Sequence, residues 1–547
     1  MSVSSPLPAT ADNRTPTPVR FPALPLYVTA LIEGACVIII EIGGARALAP
    51  FFGTSLQVWT SQITVTLLFL AFGYGLGGLL SRHAAAERSG TPRSAAAGSA
   101  RSPWKLSSLF TLAGAWLVLY PILRTPLLDF TAQHLNVAVG SLTAAATLFG
   151  LPLLMLGAVS PVLISYLDLR TPGAGSAAGR LFFTNTMGGL AGGWITAMIL
   201  IPHCSLRVSL MTTGIVLITL GVLWAAFTQS RLAPILIVFL LSAVAIVALD
   251  RPPRSYVTKS GHHFDLLYSQ QSGIGLLQVL DFDDHRQLRI DGVDQGDMIQ
   301  DTGSYAWHDY IHDLALLSLS NHPEAKTALQ LGLGAGMTPK FLVARGLKVT
   351  AVDVEPQIVQ IARKYFALPD AVDVHISDAR AFLRRDTNKY DLIFLDTFAS
   401  ESTAWHLLTR DAMADIKARL NPGGRLLVNT VAYADPKLPG LDGIESAVVS
   451  IFPQAILYPA PTITGKPDEL INVTILAGEN LQPRMVVPPG ENAMTMLASL
   501  ISRSRPATAR IAPPTDDRNR LDYEQAPLRI LWRTDIWSEL PSALLWD

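Results

Sequence analysis

The sequence predicts two structural halves, an amino-terminal α-helical transmembrane bundle and a carboxy-terminal doubly wound α/β domain with a small β unit before it. Three observations carry this. Mean hydropathy is +0.34 and only 16% of the 547 residues are charged, too apolar for a wholly soluble chain. Seven apolar segments fill the stretch from 24 to 249. From Ala328 onward short apolar runs alternate with helical stretches, and each run ends in glycine or a carboxylate, as strands of a parallel sheet do where they meet a ligand. A chain this long needs more than one core. The expected division is a disordered tail over 1–22, a multi-pass membrane domain over 23–250, a β domain over 251–304, an α/β domain over 305–482 and an extension over 483–547.

The apolar segments run over about 24–50, 57–80, 106–123, 141–167, 181–202, 208–228 and 232–249, and most reach the ~20 residues a helix needs to cross the hydrocarbon. Between the second and third stand Arg82, Arg88, Arg93, Arg101 and Lys105 against Glu87, so the positive-inside rule makes that linker and the amino terminus cytoplasmic. Seven strict crossings would put the second half outside. A cytosolic ligand argues for a cytoplasmic catalytic domain at a bacterial-type inner membrane. Either one segment is re-entrant or double or the number of crossings is not seven, and Ser160-Pro161 in the fourth segment and Gly188-Gly189 with Gly192-Gly193 in the fifth are breakers of the kind tolerated in buried, broken helices. Glu33 and Glu41 lie inside the first segment, where an ionisable group is expensive. Either Glu41 pairs with Arg46 and Glu33 faces a polar neighbour such as Asn185, or the two acids form a cation or polyamine site.

After Arg251-Pro-Pro-Arg254, the alternating runs Ile274–Leu280 and Gln287–Ile290 with an Asp291-Gly292 turn read as antiparallel strands. A helix over 305–320 follows. Strands are expected at 328–332, 348–353, 373–377, 390–396, 424–430, 455–459 and 472–477, and helices at 337–345, 355–366, 378–385, 404–420 and 441–451. Such alternation makes a Rossmann-like domain.

Chemistry concentrates at the strand ends. Gly332, Gly334 and Gly336 follow a strand and open a helix, where backbone amides can approach a ligand. Asp353 lies 21 residues beyond Gly332, near the spacing at which an acid meets a ribose hydroxyl. A GxGxG loop suits an adenosyl ligand such as S-adenosylmethionine (AdoMet) better than a dinucleotide. Asp378 closes the third strand and can accept from an adenine amino group, cap the helix after it, or both. Asp396 closes the fourth strand, where a carboxylate can hold a substrate amine and take its proton. With net charge −1, no basic field argues for nucleic acid. The two cysteines, Cys36 and Cys204, make neither a disulfide framework nor a metal cluster, and no metal is expected.

These residues resemble the spermidine synthase (polyamine aminopropyltransferase) family in the form fused to a membrane domain. The likeness is carried by Leu288-Arg-Ile-Asp291-Gly292, Trp307-His308-Asp309, the glycine loop, Val352-Asp353, Ser377-Asp378, Leu395-Asp396 and His406-Leu-Leu-Thr409-Arg410, and in the first half by Glu41 with Arg46 and Asn185–Gly189. The resemblance implies an AdoMet-dependent type of transferase with decarboxylated AdoMet as co-substrate, Asp353 on ribose, Asp378 on adenine, Asp396 as the catalytic carboxylate, and a homodimer by analogy. His308, Asp309 and Glu401 are the expected acceptor contacts. This chain departs from the pattern at Ala335 in the glycine loop, at Ala399 three residues past Asp396, and at Gly303-Ser304, each where the family carries acids. A diamine needs several carboxylates, so Asp309, Glu401 or Asp294 would replace them, or the acceptor differs. Two other functions stay open: AdoMet-dependent methyl transfer, and a polyamine transporter with a nucleoside-sensing domain.

Overall fold

The computed structural model describes residues 22–86, 104–168, 174–227, 237, 240, 241, 244, 255–257, 262–301, 309–481 and 493–539. The tail, most of the seventh apolar segment and His308 lie outside them. The first half is helical: α1 (Ala23–Phe52), α2 (Leu56–Ala86), α3 (Trp104–Val118), α4 (Tyr120–His134), α5 (Val137–Asp168) and α6 (Ala174–Ile195). A π turn, Thr196–Leu200, leads from α6 into the short α7 (Ile201–His203), and α8 (Leu206–Phe227) follows. Among the described residues four helices, α1, α2, α5 and α8, are long and apolar enough to cross a membrane; α3 and α4 would add a fifth span as a pair bent by 62°.

The expected helix breaks do not occur where the breakers stand. The helix α5 runs unbroken through Pro152 and Pro161, and α6 through its glycines. A Cβ at Gly188 would lie 1.9 Å from the Leu31 carbonyl oxygen, and one at Gly192 2.5 Å from that of Ala35. These glycines let α6 lie backbone to backbone against α1, as small residues do where lipid offers no hydrophobic drive. The bend falls instead after α3, where Pro121 in the first turn of α4 has no amide to continue the ladder.

Glu33 finds the polar neighbour expected of it: its carboxylate accepts from Asn185 Nδ2 at 2.5 Å and Ser160 Oγ at 3.1 Å. The Glu41–Arg46 pair does not form, because Arg46 Nη2 reaches out of the bundle to the Gly273 carbonyl at 2.6 Å. That contact, with one from the Thr54 amide to Glu401, places the carboxyl end of α1 and the start of α2 against the second half. Lys105 at the start of α3 donates to the Leu80 carbonyl near the far end of α2. If α1 and α2 both span the bilayer, the start of α1 and the end of α2 lie on the face opposite the second half.

The β unit is a five-stranded antiparallel meander in sequential order: β1 (Ser255–Val257), β2 (His263–Gln271), β3 (Leu276–Phe282), β4 (His285–Ile290) and β5 (Val293–Ile299). Phe264 and Leu280 join the apolar cluster of the bundle. A helix, Asp309–Asn321, then leads into the main sheet of β6 (Thr327–Leu331), β7 (Lys348–Asp353), β8 (Asp373–Ile376) and β9 (Tyr390–Leu395). A small hairpin, β10 (Phe398–Ala399) and β11 (Ser402–Thr403), separates these from β12 (Leu420–Tyr433), β13 (Gln454–Pro459), β14 (Leu470–Gly478) and β15 (Arg505–Pro506). The order is β15-β13-β14-β12-β9-β6-β7-β8, parallel from β12 to β8 and antiparallel beyond β12. Alternate side chains face two cores: Leu329, Leu331, Ile393 and Leu395 on one side, and Ala328, Leu392 and Phe394 on the other. Covered on both faces, these strands read as continuous apolar runs. The expected helix over 404–420 is shorter, Arg410–Ala418, because Thr409 caps it by accepting from the Ala412 amide.

Candidate functional site

The chain reverses direction across the sheet between β6 and β9, the switch point at which doubly wound sheets take ligands. A crevice of about 340 Å³ opens there, large enough for a small molecule. Along its floor the strand ends present, in spatial order, Asp378 after β8, Asp353 on β7, the glycine loop after β6, Asp396 after β9, Asn429 on β12 and Asn472 on β14. Neighbouring strands lie ~4.8 Å apart, so Asp378 and Asp396 stand about three spacings, ~14 Å, from each other. That length suits a nucleoside with a short side chain.

The glycine loop owes its shape to close approach. Gly332 has φ +86°, and a Cβ there would stand 2.0 Å from the Asp396 carbonyl oxygen; only glycine lets β6 turn so near the end of β9. Asp353 braces the same loop, its carboxylate accepting from the Leu333 amide and the Glu355 amide, each at 2.9 Å. Burial pushes its carboxyl above the ordinary value, and these amides oppose the rise.

Asp378 has two tasks. Its Oδ1 accepts from the Ala381 amide at 2.8 Å, capping the helix Ala379–Arg385, and its Oδ2 lies 2.9 Å from His406 Nε2. Burial works to raise its pKa, yet the Ala381 amide and the imidazole together hold it below the carboxylate range.

At the other end, Asn429 Nδ2 donates to Asp396 Oδ1 at 2.9 Å, and Asn472 Nδ2 donates to Asn429 Oδ1 at 3.1 Å. The Asp396 carboxylate is thereby held in orientation by a chain of amides from two neighbouring strands. Tyr310 lines the same end with Asp294. Burial, with the charges of Asp396, Asp294 and Asp297, drives its phenol well above the ordinary value, so it remains a donor.

Asp353, Asp378, Asp396, Gly332 and Gly334 all line the crevice; Gly336 starts the helix behind it as a left-handed N-cap. Asp309 begins the helix that presents Tyr310. Glu401, expected as an acceptor contact, does not line the crevice. Ser400 adopts φ +62° in the tight turn between β10 and β11, and the next side chain points away from the crevice, where it is 3% exposed and bonded to Arg533, Ser400 and Thr54. Burial would raise its pKa, but the Arg533 guanidinium and Ser400 hold it below the ordinary value. Sequence reasoning missed Asn429, Asn472, Tyr310 and Trp532, which also lines the crevice from the helix Ala526–Glu539. The asparagines left a faint signal, as polar residues inside apolar strands; Trp532 left none.

A family model for a methyltransferase domain matches residues 328–424. The chain is 26% identical over 193 residues to the probable polyamine aminopropyl transferase of Bifidobacterium longum, 34% of this chain and 42% of that one. It is 34% identical over 137 residues to the N-terminal histidine N-methyltransferase of Emericella nidulans, 24% of each. The chain thus spans less than half the length of these two curated relatives. A crystal structure of a probable spermidine synthase from Corynebacterium glutamicum matches at 16% identity with TM-score 0.38, over 49% of this chain and 97% of that one.

Proposed function

We propose that this chain, spermidine synthase-like in its second half, is a membrane-bound polyamine aminopropyltransferase. The donor is decarboxylated AdoMet and the acceptor an amine such as putrescine. The observation that carries this is the Asp396 carboxylate, held by Asn429 and Asn472 at one end of a crevice whose other end is framed by Asp353 and Asp378. With adenine beside Asp378 and ribose on Asp353, the sulfonium of the donor comes to the glycine loop and its aminopropyl carbon faces Asp396.

An acceptor ammonium entering beside Asp396, Asp294 and Tyr310 gives up a proton to the Asp396 carboxylate. The freed amine nitrogen attacks the carbon next to sulfur in line with the leaving group. The new N–C bond forms as the C–S bond breaks, the sulfur keeps the bonding pair, and methylthioadenosine leaves uncharged. Most of the acceleration comes from position, since nucleophile and carbon are held in contact.

A second reading, methyl transfer from AdoMet, is favoured by Ala335. An acid at this loop position would repel the carboxylate of intact AdoMet, and here a methyl group packs 3.1 Å from where a Gly296 Cβ would be. Product mass separates the two. The full chain in detergent is offered decarboxylated AdoMet with putrescine, and separately AdoMet with the same amine. The first pair should yield the amine enlarged by aminopropyl; gain of a methyl group in the second, with no product in the first, would overturn the proposal.

A further inference from the structure

Two segments form lips of the crevice, the loop carrying Ile274 and the β10–β11 hairpin, and both are bonded to the end of α1. Arg46 holds the first by its contact with the Gly273 carbonyl, and the Gly273 amide passes on to Glu355 Oε2 at 3.2 Å, beside the ribose acid. On the second lip the Thr54 amide donates to Glu401 Oε1 at 3.2 Å. Arg533, from the helix Ala526–Glu539, bonds the Glu401 carboxylate and also donates to Ser400 Oγ at 2.6 Å, to the Pro50 carbonyl at 3.1 Å and to the Asp291 carbonyl at 2.5 Å. One guanidinium therefore joins the membrane helix, the turn of the β unit, the hairpin and the carboxy-terminal helix.

The Arg533 and Glu401 side chains are each 2% exposed. Burying such a pair strips water from both charges, a cost that apolar residues of similar volume would avoid. What the charged pair adds is one defined geometry, since the fork of the guanidinium fixes direction as well as distance. We infer that Arg533 is a positioning residue that, through Glu401, holds the β10–β11 hairpin and hence the acceptor end of the site in fixed register with the membrane helix α1. Which ligand occupies that end rests on the proposed transfer; the mechanical coupling does not.

The test uses the full chain in nanodiscs and two readouts. Without ligand, hydrogen exchange is compared between wild type, Arg533→Met, and the double variant Arg533→Met, Glu401→Met, which leaves no lone buried charge if the single variant misfolds. Exchange should rise at least tenfold over both 398–403 and 51–55, with β6 and β9 unchanged. A rise confined to the hairpin, or none, overturns the coupling. With putrescine and decarboxylated AdoMet, the same variants should raise the amine KM at least tenfold while methylthioadenosine affinity stays within twofold. An equal loss of both would mean a merely structural role and overturn the assignment. Wild type without any transfer would sink the proposed reaction, and the exchange data would still decide the coupling.

Discussion

Replacing Asn429 by alanine tests whether the amide chain behind Asp396 matters to the reaction. Asn429 is 5% exposed, and among the described residues its side chain donates to Asp396 and accepts from Asn472. A hydrogen bond to a charged group contributes ~1.5–3 kcal/mol. If the bond holds the carboxylate in the one orientation that receives the proton, its loss appears in the barrier, a fall of roughly 10- to 150-fold in kcat/KM. Alanine leaves a small gap beside the strand that water can enter, and Asn472 is half-buried and can bond that water, so the protein should still fold. Asn429→Asp should be worse than alanine, because two carboxylates would then face each other. The assay is steady-state aminopropyl transfer by the full chain, with methylthioadenosine affinity measured on the same samples. A folded alanine variant within twofold of wild type would show that Asp396 needs no such support.

Three further outcomes follow from the geometry. Because the folded-state pKa of Glu401 is lowered, its contribution is complete above the unfolded value of ~4.3 and is lost as pH falls through the folded one; Glu401→Gln should flatten the decline of the melting temperature below about pH 4.3, and an unchanged decline would refute this. Gly188→Val forces a side chain into the Leu31 carbonyl and should destabilise the bundle by ~1–3 kcal/mol or more, whereas Gly175→Ala meets nothing within 4 Å and should be silent in the same melting assay. With Cys36 and Cys204 replaced by serine, single cysteines at Ser89 and Lys437 should react with an impermeant maleimide from opposite faces of the membrane; labelling from one face would contradict the helix directions.

Much of the second half was legible because its physics is local. Strands buried on both faces must be apolar throughout, and those ending at Gly332, Asp353 and Asp396 carry their crevice-lining residues at the end, so position in the chain fixes position along the crevice. Asn429 and Asn472 could be located on strands, but not paired, since their meeting depends on β12 lying between β9 and β14. Glu401 was misplaced because one left-handed residue, Ser400, decides which side of the hairpin it faces. Arg533 was invisible for a different reason: its partner is 132 residues away in sequence. In the first half composition identified most of the helices but left the greater part of α4 unassigned, and glycine and proline were read as breaks when the glycines serve contact between α1 and α6.

In the proposed complex a sulfur-bearing adenosine lies along the edge of the sheet with its reactive end at Asp396. An electron cryomicroscopy map of the full chain saturated with methylthioadenosine tests it most directly. The density should show adenine beside Asp378, ribose hydroxyls on Asp353 and the thioether sulfur at the glycine loop facing Asp396. Density elsewhere, or an empty crevice at saturating ligand, would contradict it.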